Sequence, residues 1–119
     1  MNVLTVDDSR TMREMLKSAL VRAGFNVLSA VDGEDGLEVL SQNGADVIIT
    51  DINMPKLDGF GFIECVRRDS DHRATPILVL TTESDPEKKD RARRAGATGW
   101  IVKPFHPEKL VAAIRRVAG

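Results

Sequence analysis

Short apolar runs rich in β-branched residues alternate with longer amphipathic stretches along the whole of this chain. Such runs predict strands, and apolar residues spaced three and four positions apart predict helices. The predicted strands are residues 3–7, 26–30, 46–51, 76–81 and 98–102. The predicted helices are residues 10–23, 34–43, 59–69, 86–95 and 107–118. Five strand–helix units with short connections imply an α/β/α sandwich whose helices cover both faces of a parallel sheet. The second strand mixes polar and apolar residues, so we expect it at a sheet edge.

Size and charge indicate one ordinary globular domain. A chain of 119 residues can bury one core and has little room for a second, so we expect a single domain over residues 1–119 with no output domain. The formal net charge of −1 gives no reason to expect binding to nucleic acid or to a membrane surface. The lack of a long apolar stretch indicates a cytoplasmic protein. Cys65 is alone, which excludes a disulfide framework or a cysteine zinc site.

Polar residues stand at the carboxyl ends of four predicted strands. Asp7 and Asp8 follow the first strand, Asp51 ends the third, Thr81 ends the fourth and Lys103 follows the fifth. The carboxyl ends of the strands form the edge of an open parallel sheet where ligands bind. In a doubly wound sheet of order 2-1-3-4-5 the first and third strands are neighbours, which would bring the three aspartates together.

Three clustered aspartates predict a cation site. Carboxylates this close stay ionised together only when a cation compensates them. An all-oxygen site with few protein ligands and room for water suits Mg²⁺. The alternative is that Asp8 or Ser9 only caps the first helix, which is the commoner role of an acidic pair taken alone. Asp51 on the neighbouring strand end favours the cation site.

Asp51 is the candidate nucleophile, because a carboxylate can attack a phosphoryl group and carry it as an acyl phosphate. Such a transfer requires neutralisation of the charge on the phosphoryl oxygens. Mg²⁺ would supply one part and the Lys103 ammonium another, while the Thr81 hydroxyl could donate a hydrogen bond. Taken singly, a lysine is usually solvated and a threonine often serves strand propensity. The apolar strand before Lys103 and the Pro104-Phe105 pair after it argue against a solvated lysine.

Several short motifs occur in a fixed order along the chain. They are Val6-Asp7-Asp8-Ser9, Asp51-Ile52-Asn53-Met54-Pro55 followed by Asp58-Gly59, Thr81-Thr82-Glu83, Ala95-Gly96-Ala97, and Val102-Lys103-Pro104-Phe105. With these motifs the whole chain resembles the receiver domain of two-component response regulators, and most closely the stand-alone chemotaxis response regulator. The resemblance implies a flavodoxin-like (βα)5 sandwich with a five-stranded parallel sheet of order 2-1-3-4-5.

The resemblance also implies roles for the site residues. Asp51 would accept a phosphoryl group from a phosphohistidine of a partner kinase. Asp8, Asp51 and the backbone carbonyl of Asn53 would hold Mg²⁺, and Asp7 would act through a bound water. Lys103 would pair with the phosphate. The domain would assist its own phosphorylation and dephosphorylation as a signalling switch rather than as an enzyme.

Two further features concern the switch. The resemblance implies that Thr81 turns toward the phosphate, and that the bond between Lys103 and Pro104 is cis, against the low frequency of cis X-Pro bonds in general. Trp100 occupies the position where the family often has a tyrosine, phenylalanine or histidine that moves inward. Tryptophan is a departure from that pattern, and a large aromatic there is otherwise simple packing.

The predicted output is a protein–protein contact through helix 4, strand 5 and helix 5. Apart from Ala92 and Ala95, residues 85–95 offer little apolar surface, which suits either a mobile helix or an ordinary solvated one. Asn53 and Glu83 resemble the chemotaxis member at two positions that influence how fast the phosphate is lost. The expected partners are a histidine kinase or its phosphotransfer domain, a target such as the flagellar motor switch, and a phosphatase.

Three other functions remain open at this point. A receiver could serve as a phosphate sink or relay in another two-component pathway. A phosphatase of the haloacid dehalogenase kind would also use a strand-end aspartate and Mg²⁺, but its motif has a second aspartate where Asn53 stands. A flavin- or nucleotide-binding module would need a glycine-rich phosphate loop after the first strand, where Asp7-Asp8-Ser9 stands instead.

Overall fold

The computed structural model describes residues 1–118, and it contains every predicted strand and helix. The elements are β1 (Asn2–Val6), α1 (Arg10–Arg22), β2 (Asn26–Ala30), α2 (Gly33–Asn43), β3 (Val47–Thr50), α3 (Gly59–Arg68), β4 (Ile77–Thr81), α4 (Pro86–Ala95), β5 (Gly99–Val102) and α5 (Pro107–Ala118). The bounds of β2, α4 and α5 are as predicted, and the other bounds differ by one residue at most. None of the helices within residues 1–118 is long and apolar enough to cross a membrane.

The five strands form one parallel sheet in the order β2-β1-β3-β4-β5. The expected flavodoxin-like order and the edge position of β2 are therefore confirmed. In β1 and β3, Val6 lies opposite Thr50. The Asp51 N–H donates to the Val6 carbonyl at 2.9 Å, so hydrogen bonding between the two strands continues to their ends. The next residues in the chain, Asp7 and Asp51, therefore leave the sheet side by side.

Two cores lie on opposite faces of the sheet, because successive strand residues point to opposite sides. One core lies between the sheet and helices α2, α3 and α4, and its residues include Leu4, Val6, Ile48, Phe62 and Ile63. The other core lies between the sheet and helices α1 and α5, and its residues include Val3, Val47, Ile49, Leu16 and Ile114. Burial on both faces explains why the central strands are continuous apolar runs. In α4 only Ala92 is buried, so this helix is held less tightly than its neighbours.

One arginine joins α3 to the segment before β4 and to the end of α4. The Arg67 guanidinium donates to the carbonyl of Gly96 at 3.0 Å, of His72 at 3.2 Å and of Thr75 at 2.6 Å. Burial lowers the pKa of Arg67, as expected for a cation partly withdrawn from water. Gly96 ends α4 with a φ of +120°, and a Cβ there would collide with the Arg67 side chain. The segment before β4 and the end of α4 are thus fixed to the same side chain.

We expect Arg67→Ala to lower the free energy of unfolding by about 1–3 kcal/mol, because it removes the donor to the half-buried carbonyls of Gly96 and Thr75. Arg67→Lys should restore only part of the loss, since one ammonium cannot reproduce the guanidinium fork. Urea denaturation measures the effect. Arg68→Ala is the matched control on the exposed side of α3 and should change stability by no more than about 0.5 kcal/mol. Equal effects of the Arg67→Ala and Arg68→Ala substitutions would contradict this role of Arg67.

Candidate functional site

Three carboxylates meet at the carboxyl edge of the sheet, as the sequence predicted. Oxygen atoms of Asp7, Asp8 and Asp51 lie within 4.8 Å of one another. Asp7 is 2% exposed and Asp51 is 8% exposed, whereas Asp8 faces solvent. The cluster is therefore a shallow acidic site with a buried floor and an open side at Asp8.

The hydrogen bonds at the start of α1 show which residue caps this helix. The Ser9 hydroxyl accepts a hydrogen bond from the Met12 N–H at 3.2 Å, so Ser9 is the N-cap residue of α1. Asp7 Oδ1 accepts from the Ser9 N–H at 2.9 Å, which orients the Asp7 carboxylate. The capping alternative is therefore correct for Ser9 and wrong for Asp8, whose exposed carboxylate stays with the cluster.

Lys103 is inserted between two of the carboxylates. Its Nζ donates to Asp7 Oδ2 at 2.9 Å and to Asp51 Oδ2 at 3.0 Å, and its side chain is only 12% exposed. The lysine reaches these partners from the end of β5, which is separated from β3 by β4. The peptide bond between Lys103 and Pro104 is cis, as the family resemblance implied. The prediction that this lysine is withdrawn from solvent is confirmed.

Burial and pairing act in opposite directions on the charges of this site. Burial raises the pKa of Asp7, and hydrogen bonds from the Ser9 N–H and from Lys103 offset only part of that rise. Burial lowers the pKa of Lys103, but its hydrogen bonds to Asp7 and Asp51 outweigh burial and leave its pKa above the usual value. The lysine is therefore a permanent ammonium at neutral pH, and the ionised form of Asp7 is held there at a cost.

The Asp51 carboxylate has one oxygen fixed and the other directed into the cluster. Oδ1 accepts the Ile52 N–H at 2.7 Å, and Oδ2 faces Lys103. The chain after Asp51 turns back so closely that a Cβ at Gly59 would collide with the Asp51 carbonyl, which explains the glycine at the start of α3. Asp51 Oδ2 is thus the oxygen that lies on the side of Lys103.

The loop after β4 is held by four hydrogen bonds that involve Glu83. Thr81 is fully buried, and its Oγ1 accepts from the Glu83 N–H at 3.3 Å. The half-buried Trp100 donates its indole N–H to the Glu83 carbonyl at 3.2 Å. Glu83 Oε1 accepts from Lys88 at 3.0 Å and from the Asn53 amide at 3.3 Å. These two hydrogen bonds lower the pKa of the Glu83 carboxyl, and the one from Lys88 has the larger effect.

Sequence reasoning did not identify two residues of this site. Lys88 contacts Glu83, and Arg13 donates to the Asp7 carbonyl at 2.8 Å. Neither residue belongs to one of the motifs. The spacing of Arg13 from Ser9 was the one available signal, because it places Arg13 one turn into α1. The contact of Lys88 depends on the path of the loop after β4, which sequence patterns do not specify.

A parallel (βα)5 sheet with clustered aspartates and a buried lysine at its carboxyl edge is the arrangement of receiver domains in signalling proteins. The family model of the response regulator receiver domain matches residues 3–115. This protein belongs to that family.

Individual relatives agree with this assignment. A probable chemotaxis protein CheY of Rhizobium etli is 40% identical over 118 residues, which cover 98% of this chain and 92% of that protein. A probable transcriptional regulator ycf27 of Guillardia theta is 43% identical over 97% of this chain, which spans 44% of that regulator. The solved structure of chemotaxis protein CheY4 of Vibrio cholerae superposes with a TM-score of 0.93 at 48% identity, over 98% of this chain and 97% of that one.

The pKa of Asp7 leads to a prediction about stability. Because the pKa is raised above its ordinary value of 3.8, ionised Asp7 lowers the stability of the folded state at neutral pH. With a chelator present, Asp7→Asn should therefore raise the free energy of unfolding near pH 7. The gain over wild type should shrink as the pH falls through the raised pKa, where wild-type Asp7 takes up a proton.

Urea denaturation between neutral and acidic pH measures this difference. Asp71→Asn removes an exposed carboxylate from a loop and serves as the control, with little expected effect at any pH. A less stable Asp7→Asn protein at neutral pH would show that pairing with Lys103 outweighs burial at Asp7.

Proposed function

We propose that this protein is a phosphorylation-driven signalling switch of the chemotaxis response regulator kind. A partner kinase would transfer a phosphoryl group from phosphohistidine to Asp51, which would change a protein-binding surface formed by α4, β5 and α5. The observation that carries the proposal is the position of the Asp51 carboxylate. Its Oδ2 lies 3.0 Å from the Lys103 ammonium, and one of its oxygens lies within 4.8 Å of oxygens of Asp7 and Asp8.

In the proposed phosphoryl transfer, the two carboxylate oxygens of Asp51 have different roles. Oδ1 stays with the Ile52 N–H, and Oδ2 attacks the phosphorus. The bond from phosphorus to the imidazole nitrogen breaks, and its electron pair returns to the histidine ring of the donor. Lys103 leaves the carboxylate that has reacted and neutralises charge on the transferred group. The chain supplies a fixed nucleophile and a buried cation, and the kinase supplies the group.

The donor set fits Mg²⁺. Three carboxylates against one ammonium leave the cluster with a formal charge of −2, and burial has already raised the pKa of Asp7. Asp8, Asp51 and the backbone carbonyl of Asn53 would hold the ion, with Asp7 acting through a bound water. When bound, Mg²⁺ neutralises charge on the phosphoryl oxygens.

The switch proposed for this chain runs through the loop after β4. If the Thr81 hydroxyl turns to donate to a phosphoryl oxygen, it gives up the Glu83 N–H that it now accepts. The Glu83 carbonyl also accepts a hydrogen bond from the Trp100 indole, so a movement of this loop would move the Trp100 ring. Trp100 and Ala92 line a groove of about 230 Å³ between α4 and β5, which would change shape with the ring. The equilibrium is two-state and is biased by contacts that only the phosphate provides.

The chemotaxis setting is proposed from the relatives. Chemotaxis proteins match this chain over nearly their whole length, whereas the transcriptional regulator carries further sequence beyond the match. We propose a cytoplasmic regulator that receives its phosphoryl group from a histidine kinase or its phosphotransfer domain. Its target would be a protein such as the flagellar motor switch, and a phosphatase would reverse the signal. Asn53 and Glu83 would set how fast the phosphate is lost.

Incubation with a small-molecule phosphodonor and Mg²⁺ tests the phosphoacceptor. Intact mass should show the gain of one phosphoryl group, because the donor needs only a positioned carboxylate and charge neutralisation. Asp51→Asn should abolish the gain, and Asp71→Asn, an exposed loop aspartate, should leave it unchanged. The same adduct on the Asp51→Asn protein would overturn the assignment of Asp51.

Thr81→Ala tests the coupling between phosphate and ring. The variant should still gain one phosphoryl group, because Asp51 and Lys103 are intact, but the accompanying change in Trp100 fluorescence should be largely lost. Thr81→Ser keeps the hydroxyl and should retain the change. A full fluorescence response in Thr81→Ala would mean that the signal reaches Trp100 by another route.

A further inference from the structure

Lys88 lies in the first turn of α4 and belongs to none of the motifs that define the family in this chain. Its Nζ donates to Glu83 Oε1 at 3.0 Å, across the loop between β4 and α4. The same oxygen accepts from the Asn53 amide at 3.3 Å. Asn53 lies two residues after Asp51, and Glu83 lies two residues after Thr81. The three side chains form one chain of hydrogen bonds that joins the loop after β3 to the loop after β4.

The main chain of Glu83 is held without any help from Lys88. Its N–H donates to Thr81 Oγ1 at 3.3 Å, and its carbonyl accepts from the Trp100 indole at 3.2 Å. Lys88 therefore acts on the carboxylate alone. The two side chains are 42% and 28% exposed, so their ion pair is partly solvated and adds little to the stability of the fold. What the ion pair fixes is the position of the carboxylate.

We propose that Lys88 is a positioning residue that sets the lifetime of the phosphorylated state by holding Glu83. The inference rests on the proposed phosphorylation of Asp51. The phosphate is lost when the oxygen of a water molecule bonds to phosphorus and the bond from phosphorus to Asp51 breaks. Inorganic phosphate leaves, and the Asp51 carboxylate is regenerated. The Glu83 carboxylate, held between Lys88 and Asn53, closes one side of the route by which water approaches.

Removing the lysine charge should release that carboxylate. Within residues 1–118, the Asn53 amide is the other donor to Oε1, and a neutral amide holds a carboxylate less strongly than an ammonium does. The freed carboxylate gains hydration by turning outward, which opens the side of the site that it had covered. Hydrolysis should then be faster, while the phosphoacceptor and its lysine remain unchanged.

Lys88→Met tests this, because methionine keeps the length of the side chain and removes the ammonium. The protein is phosphorylated with a small-molecule phosphodonor and Mg²⁺, the donor is removed, and the decay of the adduct is followed by intact mass. We expect decay about threefold to fivefold faster than in wild type, which is the effect of losing one partly exposed ion pair. Melting temperature and resting Trp100 fluorescence should stay the same, since the main chain of Glu83 is held independently.

Two controls separate positioning from a general effect of charge. Lys89→Met removes the neighbouring exposed lysine, which makes no ion pair within the described part of the chain, and should leave the decay unchanged. In a Glu83→Ala background, Lys88→Met should have little further effect, because the acceptor that the lysine holds is gone.

The outcomes distinguish this inference from the proposed function. Unchanged or slower decay in Lys88→Met would overturn the inference alone, provided that wild type is phosphorylated. Equal acceleration by Lys89→Met, or by Lys88→Met in the Glu83→Ala background, would also overturn it. A wild-type protein that gains no phosphoryl group would overturn the proposed function, and this inference with it.

Discussion

The structure of the site depends on one interaction, the contact of the Lys103 ammonium with Asp7 and Asp51. Two nearly buried carboxylates lie side by side because their strands are hydrogen-bonded to the last residue. Without a cation between them, burial and mutual repulsion would drive one of them to take up a proton. Lys103 supplies that cation at 2.9 and 3.0 Å and keeps its charge, since these contacts raise its pKa. The lysine therefore compensates the charge of two carboxylates in a site that is largely withdrawn from water.

The fold stabilises this arrangement elsewhere. Two apolar cores lie on the two faces of the sheet, and Arg67 fixes the segment before β4 and the end of α4 to α3. The carboxyl edge, in contrast, holds an aspartate whose ionised form is unfavourable. Functional sites commonly lower the stability of the fold that carries them, and here the destabilising group is a buried aspartate at the edge of a stable sheet. Because α4 contributes only Ala92 to the buried core, it is the helix least firmly tied to the sheet.

Most of the fold could be predicted from the sequence, because the period of the apolar residues differs between strands and helices. The sequence also predicted that Asp7, Asp8 and Asp51 meet, since parallel strands place their carboxyl ends at one edge. The order of the strands came from the family resemblance rather than from the pattern. Sequence alone left the capping of α1 open between Asp8 and Ser9, because both side chains accept hydrogen bonds from backbone N–H groups.

Contacts that depend on backbone carbonyls or on loop paths could not be predicted. Arg67 binds carbonyls, which every residue possesses, so no motif marks its partners. The same holds for the Trp100 indole and the Glu83 carbonyl. Lys88 meets Glu83 only because the loop after β4 turns back toward Asn53. These contacts lie around the predicted site, and they are known from the structure and not from the sequence motifs.

The most direct test of the account is a crystal structure of this protein with Mg²⁺ and the beryllium trifluoride anion, a stable mimic of a phosphoryl group. The account predicts the anion on Asp51 Oδ2, with the Lys103 ammonium moved from the carboxylate to a fluorine atom. Mg²⁺ should lie between Asp8, Asp51 and the carbonyl of Asn53. An anion bound elsewhere, with Lys103 still between Asp7 and an unmodified Asp51, would contradict it.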